Sequence, residues 1–354
     1  MFLLNYMNQL KFIIIAITFG YSFSAIAQTT VDVGADGILN QSDFGGTCPT
    51  GNIVVTNTGG GGYTIPDDAF SSCWGLQSIT LPAGLKSIGE GAFYFCDALQ
   101  SITLPAGLLS IGDEAFFHCD GLKKITIPSS VTDIGDYAFN RCVALQSITL
   151  PADLQSIGKG AFSGCDKLKK ITIPNGVEEI DDETFLGSYT LLSITLPTGL
   201  LSIGDEAFEG CIGLSSITLP AGLLSIGYQA FDGCSGLKKI TIPSSVTDIG
   251  YGAFNNCDAL TTITFENSDP SLITIGDTDY DVFDGCTALT TIYVPSGSED
   301  DWSAALAGGY SALIGNIKVN PKTIPRVRDG KNVILRISGK MNVGKGTKVI
   351  IGPP

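Results

Sequence analysis

The sequence predicts an α/β solenoid, each coil supplying one short parallel strand and, on the opposite side, a short helical or 3₁₀ turn. Three observations predict it. Phe70, Phe93, Phe116, Phe139, Phe162, Phe185, Phe208, Phe231 and Phe254 lie 23 residues apart, and Phe283 follows after 29. Within the unit Leu76-x-x-Ile79-x-Leu81-Pro82-x-x-Leu85-x-x-Ile88-Gly89-x-x-Ala92-Phe93-x-x-Cys96, every apolar position returns in the next unit at the same offset. The block from Gly121 to Gly135 also recurs unchanged from Gly236 to Gly250, a duplication within the array. A fixed period of about 20 to 50 residues marks a stack of coils, because one such unit cannot bury its apolar side alone.

The elements follow in chain order. Lys11, the apolar run from Phe12 to Phe23 and then Ala25-Ile26-Ala27 read as a secretory signal peptide over residues 1–27, with cleavage near Ala27. Gln28, where a lipid-modified Cys would stand, leaves no lipid attachment at that point. Residues 28–62, with Cys48 and the Gly59 to Gly62 run, are expected to cap the stack, whose first turn would otherwise expose apolar columns and a strand edge. Ten imperfect coils then occupy residues 63–295. A second cap, with Asp300-Asp301-Trp302 opening a short helix, is expected over 296–317. The basic tail, 318–354, alternates apolar and polar residues around Val333 to Ile337 and Lys348 to Ile351, as a β hairpin would.

Inside a unit, Leu-x-x-Ile-x-Leu-Pro alternates inward apolar with outward polar residues, which suits a short strand that Pro terminates. Gly89 and its equivalents mark a tight bend. The Ala-Phe step, with acidic residues just before it, reads as one helical or 3₁₀ turn. Strands about 4.8 Å apart over ten coils give a face some 45 Å long.

Charge is segregated along the chain. Residues 28–317 carry 34 acidic and 10 basic side chains, a balance of −24, while 318–354 carry 9 basic and 1 acidic, a balance of +8. An acidic body of this size repels phosphate backbones, so nucleic acid is not an expected partner. No stretch after the leader approaches the ~20 apolar residues that a membrane-spanning helix needs.

The repeat resembles the BspA-like class of bacterial leucine-rich repeats, over roughly residues 63 to 295. It departs from the general leucine-rich pattern, which places Asn or Cys just after the strand. Here Pro82 and its equivalents follow the strand and the Cys precedes it. Members of that class are commonly secreted or surface-exposed and some are adhesins, so the resemblance implies a secreted or cell-surface protein that binds something there.

The outward strand positions form the candidate binding surface. One column is Thr80, Thr103, Thr126, Thr149, Thr172, Thr195, Thr218, Thr241 and Thr264, ending at Tyr293, and beside it run Ser78, Ser101, Lys124, Ser147, Lys170, Ser193, Ser216, Lys239 and Thr262. A rigid array of hydroxyls with spaced ammonium groups holds an extended polymer or a protein surface with little ordering cost. Thr also simply suits an exposed strand and stacks well across strands, so the column by itself does not prove a site. The expected contact residues are Ser101, Thr103, Lys124, Thr126, Ser147, Thr149, Lys170, Thr172, Ser193, Thr195, Lys239 and Thr241, and the expected partner is an extracellular protein or a glycan polymer. The rival reading is a spacer or surface-layer component without a specific ligand.

Other chemistry has less to stand on. Nine cysteines from Cys73 to Cys286 share one column, with Ser188 in the sixth place. Stacked side chains point the same way, so buried reduced thiols are expected, with Cys48 to Cys73 the one bridge worth considering. Single cysteines at 23-residue spacing do not form a zinc site. Asp277-Thr278-Asp279-Tyr280-Asp281 resembles the start of a calcium loop but lacks the Gly and Glu that complete one, and reads as a solvated insertion. His118 is the single histidine, in a slot that holds Ser, Phe, Arg, Gly or Asn elsewhere. Without a second His, triad chemistry lacks its usual base. The clusters Asp113-Glu114, Asp181-Asp182-Glu183 and Asp205-Glu206 share one repeat offset, as acidic helix starts would. Neither catalysis nor a cofactor is expected.

Overall fold

The computed structural model describes residues 28–33, 36–275, 282–305, 317–319, 326–329 and 332–335. The expected signal peptide, the Asp277 to Asp281 stretch and the strand expected at Lys348 to Ile351 lie outside them.

Successive coils superimpose. The front strands Leu76–Thr80, Ser101–Thr103, Lys124–Thr126 and Ser147–Thr149 are parallel neighbours in one sheet, and Gln28–Asp32 and Gly51–Thr56 extend it from the N-terminal side. Pairing follows the repeat, with Ile79 opposite Ile102 and Ile125 opposite Ile148. The interior is a set of ladders. The Phe rings from Phe70 to Phe254 are fully buried and stack face to face, with centroids 5.1 Å apart at Phe208–Phe231 and 5.7 Å at Phe139–Phe162 and Phe162–Phe185.

Each coil also carries a second short strand beyond the single one expected. Leu85–Ile88, Ser110–Ile111, Asp133–Ile134 and Ser156–Ile157 pair in parallel, and Glu179–Ile180 begins a second run of the same kind. The cause is local: after the Pro, the chain again places one Ile inward beside an outward polar residue, as in Ser110-Ile111.

On the opposite side each coil makes short hydrogen-bonded turns of the expected 3₁₀ kind, such as Tyr94 N–H to Gly91 O, and none extends into a regular helix in the described repeats. Stacked rings 5.1–5.8 Å apart show that the coils are as closely spaced there as in a sheet. An α-helix about 10 Å across does not fit at that pitch. Tight turns take its place, and their backbone donors are shared out. Tyr94 donates within its own coil to Gly91 (2.8 Å), while Phe93 donates to Ala115 of the next coil (2.8 Å). Two residues per coil, four apart, take left-handed backbone to make this possible, among them Glu114 (φ 53°) and His118 (φ 54°).

The acidic residues before the Ala-Phe step are therefore not helix starts. Asp113 Oδ1 accepts the backbone N–H of Asp136 (2.9 Å), Asp182 that of Asp205 (2.7 Å) and Asp205 that of Tyr228 (2.6 Å). Each carboxylate clips its coil to the next. Gly89 likewise serves close approach more than bending: a Cβ there would come within 2.4–2.6 Å of Asp67 and Pro66 of the preceding coil.

The thiol column is hydrogen-bonded. Cys96 Sγ donates to Phe70 O (3.1 Å) and Cys119 Sγ to Phe93 O (3.2 Å), and Ser188 Oγ makes the same bond to Phe162 O (2.9 Å). Burial raises the Cys96 and Cys211 thiols to about 12, so neither forms a reactive thiolate at neutral pH. Cys48 and Cys73 form a disulfide that ties the N-terminal segment to the first coil.

At the far end the helix Glu299–Ala305 places Trp302 fully buried against Phe265, ring centroids 4.2 Å apart, with the indole N–H donating to Asn267 O. Strand Ile317–Val319 pairs in parallel with Thr291–Val294, adding a further front strand. In the tail, Arg326–Asp329 and Asn332–Leu335 pair antiparallel, a hairpin that uses the expected Val333 region with an upstream partner.

Candidate functional site

The front strand face exposes most of the expected contact residues. Ser101, Thr103, Lys124, Thr126, Ser147, Thr149, Lys170, Thr172, Thr195, Lys239 and Thr241 are exposed and Ser193 is half-buried. Register brings them into rows. Ser101 lies opposite Lys124 and Lys124 opposite Ser147, with Thr126 opposite Thr149. Lys170 and Thr172 lie opposite Ser193 and Thr195. Lys239 and Thr241 pair instead with Thr262 and Thr264, separated from Ser193 and Thr195 by a coil whose residues 214–220 form no strand.

Its charge sets this face apart from the body. None of the Leu-x-x-Ile-x-Leu/Ile-Pro segments between Leu76 and Pro243 contains Asp or Glu, yet Lys123, Lys124, Lys169, Lys170, Lys238 and Lys239 all fall within them. The acidic residues are held on the flanks and the turn side.

The face is also less uniform than its sequence. Lys124–Thr126, Lys170–Thr172 and Lys239–Ile242 each pair fully with the following strand. Toward the preceding coil the pairing fails. Only Ser101 pairs with Lys124, Ser147–Thr149 ends one sheet before Lys170–Thr172 begins another, and residues 214–220 form no strand, with Lys238 N–H donating to Ser215 O (3.3 Å). At these junctions apolar side chains reach the surface: Ile148, Leu150 and Leu196 are half-buried, whereas Ile240 and Ile242 are 2% and 0% exposed.

The first junction opens into a shallow hollow of about 460 Å³, with Thr103, Lys124 and Thr126 on its rim, Ile102, Leu104 and Ile125 beneath, and Pro128 and Ser129 at one end. Hydroxyl, ammonium and apolar floor thus meet in one place. The hydroxyls and lysines are readable from the repeat. The opening is not, because it depends on backbone spacing between coils of nearly equal sequence. Tyr189 and Ile212, 52% and 50% exposed, are not marked by the repeat, whereas Leu192, 48% exposed, stands in an outward slot that holds Gln in sister units.

The remaining candidates have structural duties. His118 stacks on Phe95 (4.6 Å between centroids) with Nδ1 3.3 Å from Asp120, on the turn side. Glu183 forms an ion pair with Lys159 (3.0 Å). Among the described residues, no group of three or more His, Cys, Asp or Glu is placed to hold a metal ion, and no helix is long and apolar enough to cross a membrane.

With this geometry in view, the chain is similar to known proteins in the following respects. The family profile described as BspA type leucine rich repeat region matches residues 63–192 and 182–303, in 6 copies. Among solved structures, a leucine-rich-repeat protein of T. pallidum is 33% identical, the match covering 46% of this chain and 77% of that one at a TM-score of 0.43. A leucine-rich repeat protein from Bacteroides ovatus is 26% identical over 73% of this chain and 86% of that one, TM-score 0.37. The pneumococcal vaccine antigen PcpA is 22% identical over 83% and 79%, TM-score 0.46. The comparison with curated proteins finds no match.

Proposed function

The chain belongs to the BspA-type leucine-rich-repeat family, and on that premise we propose that it is an exported, non-catalytic binding module whose Ser/Thr/Lys strand face holds a protein or glycan outside the cell. The observation that carries this reading is the face itself: exposed, repeated coil after coil, and free of carboxylates from Leu76 to Pro243 on a body that is otherwise strongly acidic. Its scaffold is fixed before any ligand arrives, so little conformational entropy is lost on binding. The leader from Lys11 to Ala27 supports export, and secretion or the cell surface is the setting in which such a face meets its partner.

The test is charge reversal at Lys124, Lys170 and Lys239 together, after a ligand has been captured from glycans and matrix proteins by the purified mature chain. A binding face loses its ligand while the melting curve stays where it was, since exposed substitutions change stability by only about 0.5 kcal/mol. Undiminished binding by the triple variant contradicts the assignment, and a chain that captures nothing is a spacer.

A further inference from the structure

Resting on that reading of the strand face, we infer that its ligand is an anionic linear polysaccharide. Three features select this class. The first is charge. Six lysines and no carboxylates lie in the strand segments from Leu76 to Pro243, on a body whose balance is −24. On the acidic body a polyanion is repelled away from this strip, which therefore fixes both where it lands there and which way it runs.

The second is spacing. Lys124 and Lys170 are two coils apart and Lys170 and Lys239 three, so at about 4.8 Å per strand the cationic rows fall about 10 and 14 Å apart along one axis. The rows stay nearly level, because the coils are about as close on the ring side as on the strand side. A line of cations on a level face suits an extended chain with a charge on recurring units, not a compact ligand.

The third is what the face lacks. Energetic centres of protein–protein interfaces are rich in Trp, Tyr and Arg and poor in Lys. The strand segments from Leu76 to Pro243 contain no Trp, Tyr or Arg, and the aromatic that ends the Thr column, Tyr293, stands two coils beyond Lys239. Between the lysines stand Ser and Thr hydroxyls, each both donor and acceptor, the complement of sugar hydroxyls. At Thr103, Lys124 and Thr126 the hollow sets an apolar floor under those groups, to receive the face of a sugar ring.

The test titrates the full mature chain with polygalacturonate and with heparin, carboxylate and sulfate polymers, against neutral dextran and single-stranded DNA, at about 50 and about 300 mM salt. Binding to one of the two anionic glycans is expected, weakened about tenfold or more at the higher salt. It should be reduced about tenfold or more by Lys124→Gln, Lys170→Gln and Lys239→Gln together. Substituting Arg326→Gln and Arg328→Gln in the basic tail should leave it unchanged. Preference for DNA over both glycans overturns the inference, as does the absence of anionic-glycan binding. If dextran or a matrix protein binds and the lysine variant loses it, the face stands as a site and the anionic class falls. If glycan binding survives the lysine variant and vanishes in the tail variant, the face reading falls with it.

Discussion

The two sides of each coil handle the same problem differently. On the turn side every coil is bonded to the next without a break, from Phe70 to Ala92 (2.7 Å) through Phe162 to Thr184 (2.9 Å) to Phe254 and Val282 (3.0 Å). On the strand side the ladder lapses before each Lys-Lys unit. The stack is therefore held from behind, by turn amides, carboxylate clips and the Phe column, and the strand face is left free to vary. That division explains why core positions repeat while outward positions alternate between Ser and Lys.

The comparison breaks first, and hardest, in the core. Phe162→Ala removes a fully buried ring stacked 5.7 Å from both neighbours. It should cost about 3 to 5 kcal/mol in denaturant unfolding. An unchanged midpoint would mean the rings do not hold the coils together. Next comes close approach: a Cβ at Gly112 would lie 2.7 Å from the backbone of Gly89. Gly112→Ala should destabilise by about 1 to 3 kcal/mol, visible as an earlier urea transition.

Ser188 sharpens the account of the thiol column. Ser188→Ala strands the Phe162 carbonyl in the interior, at a cost of about 1 to 3 kcal/mol, whereas Ser188→Cys restores the bond made by its sister units and should be far milder. Equal effects from the two would show that the hydrogen bond contributes nothing.

The smallest effect is electrostatic. Glu114 and Glu206 have raised pKa values, first through burial and then through neighbouring carboxylates, Glu90 and Asp113 for the one, Glu183 and Asp205 for the other. A carboxyl raised on folding binds more protons in the native state, so stability falls as pH rises through the window above the ordinary 4.5. Asp133 is shifted the other way by hydrogen bonds from Ser156 and Thr132, and its contribution is lost only below about 4. The melting temperature should accordingly rise slightly from pH 7 to about pH 5; a steady fall over that range would contradict the assignment.

Much of this was legible in the sequence because a fixed period converts offsets into neighbours. Phe93 and Phe116 had to meet, Thr126 and Thr149 had to share a row, and Cys48 had one partner near the end of the column. The turn is legible only in outline because no single unit reveals the distance between coils, and that distance is what keeps it from widening into an α-helix. The carboxylates of Asp113 and Asp205 escape the sequence reading for the same reason, since the backbone N–H groups that donate to them lie 23 residues away. The opening beside Lys124 and the lapse in pairing before Lys170 are not readable at all: the units flanking them differ by a few side chains, and the difference lies in backbone pairing.

Native-state hydrogen exchange tests the division of labour most directly. The amides of Ile127 and Ile173 donate to Thr149 and Thr195 of the following coil, while those of Leu104, Leu150 and Leu196 have no such bond. The account predicts slow exchange at Ile127, Ile173 and the Phe amides of the turn side, and markedly faster exchange at Leu104, Leu150 and Leu196. Uniform protection across all of them would show a continuous strand ladder, and the separation of a bonded back from a variable face would be wrong.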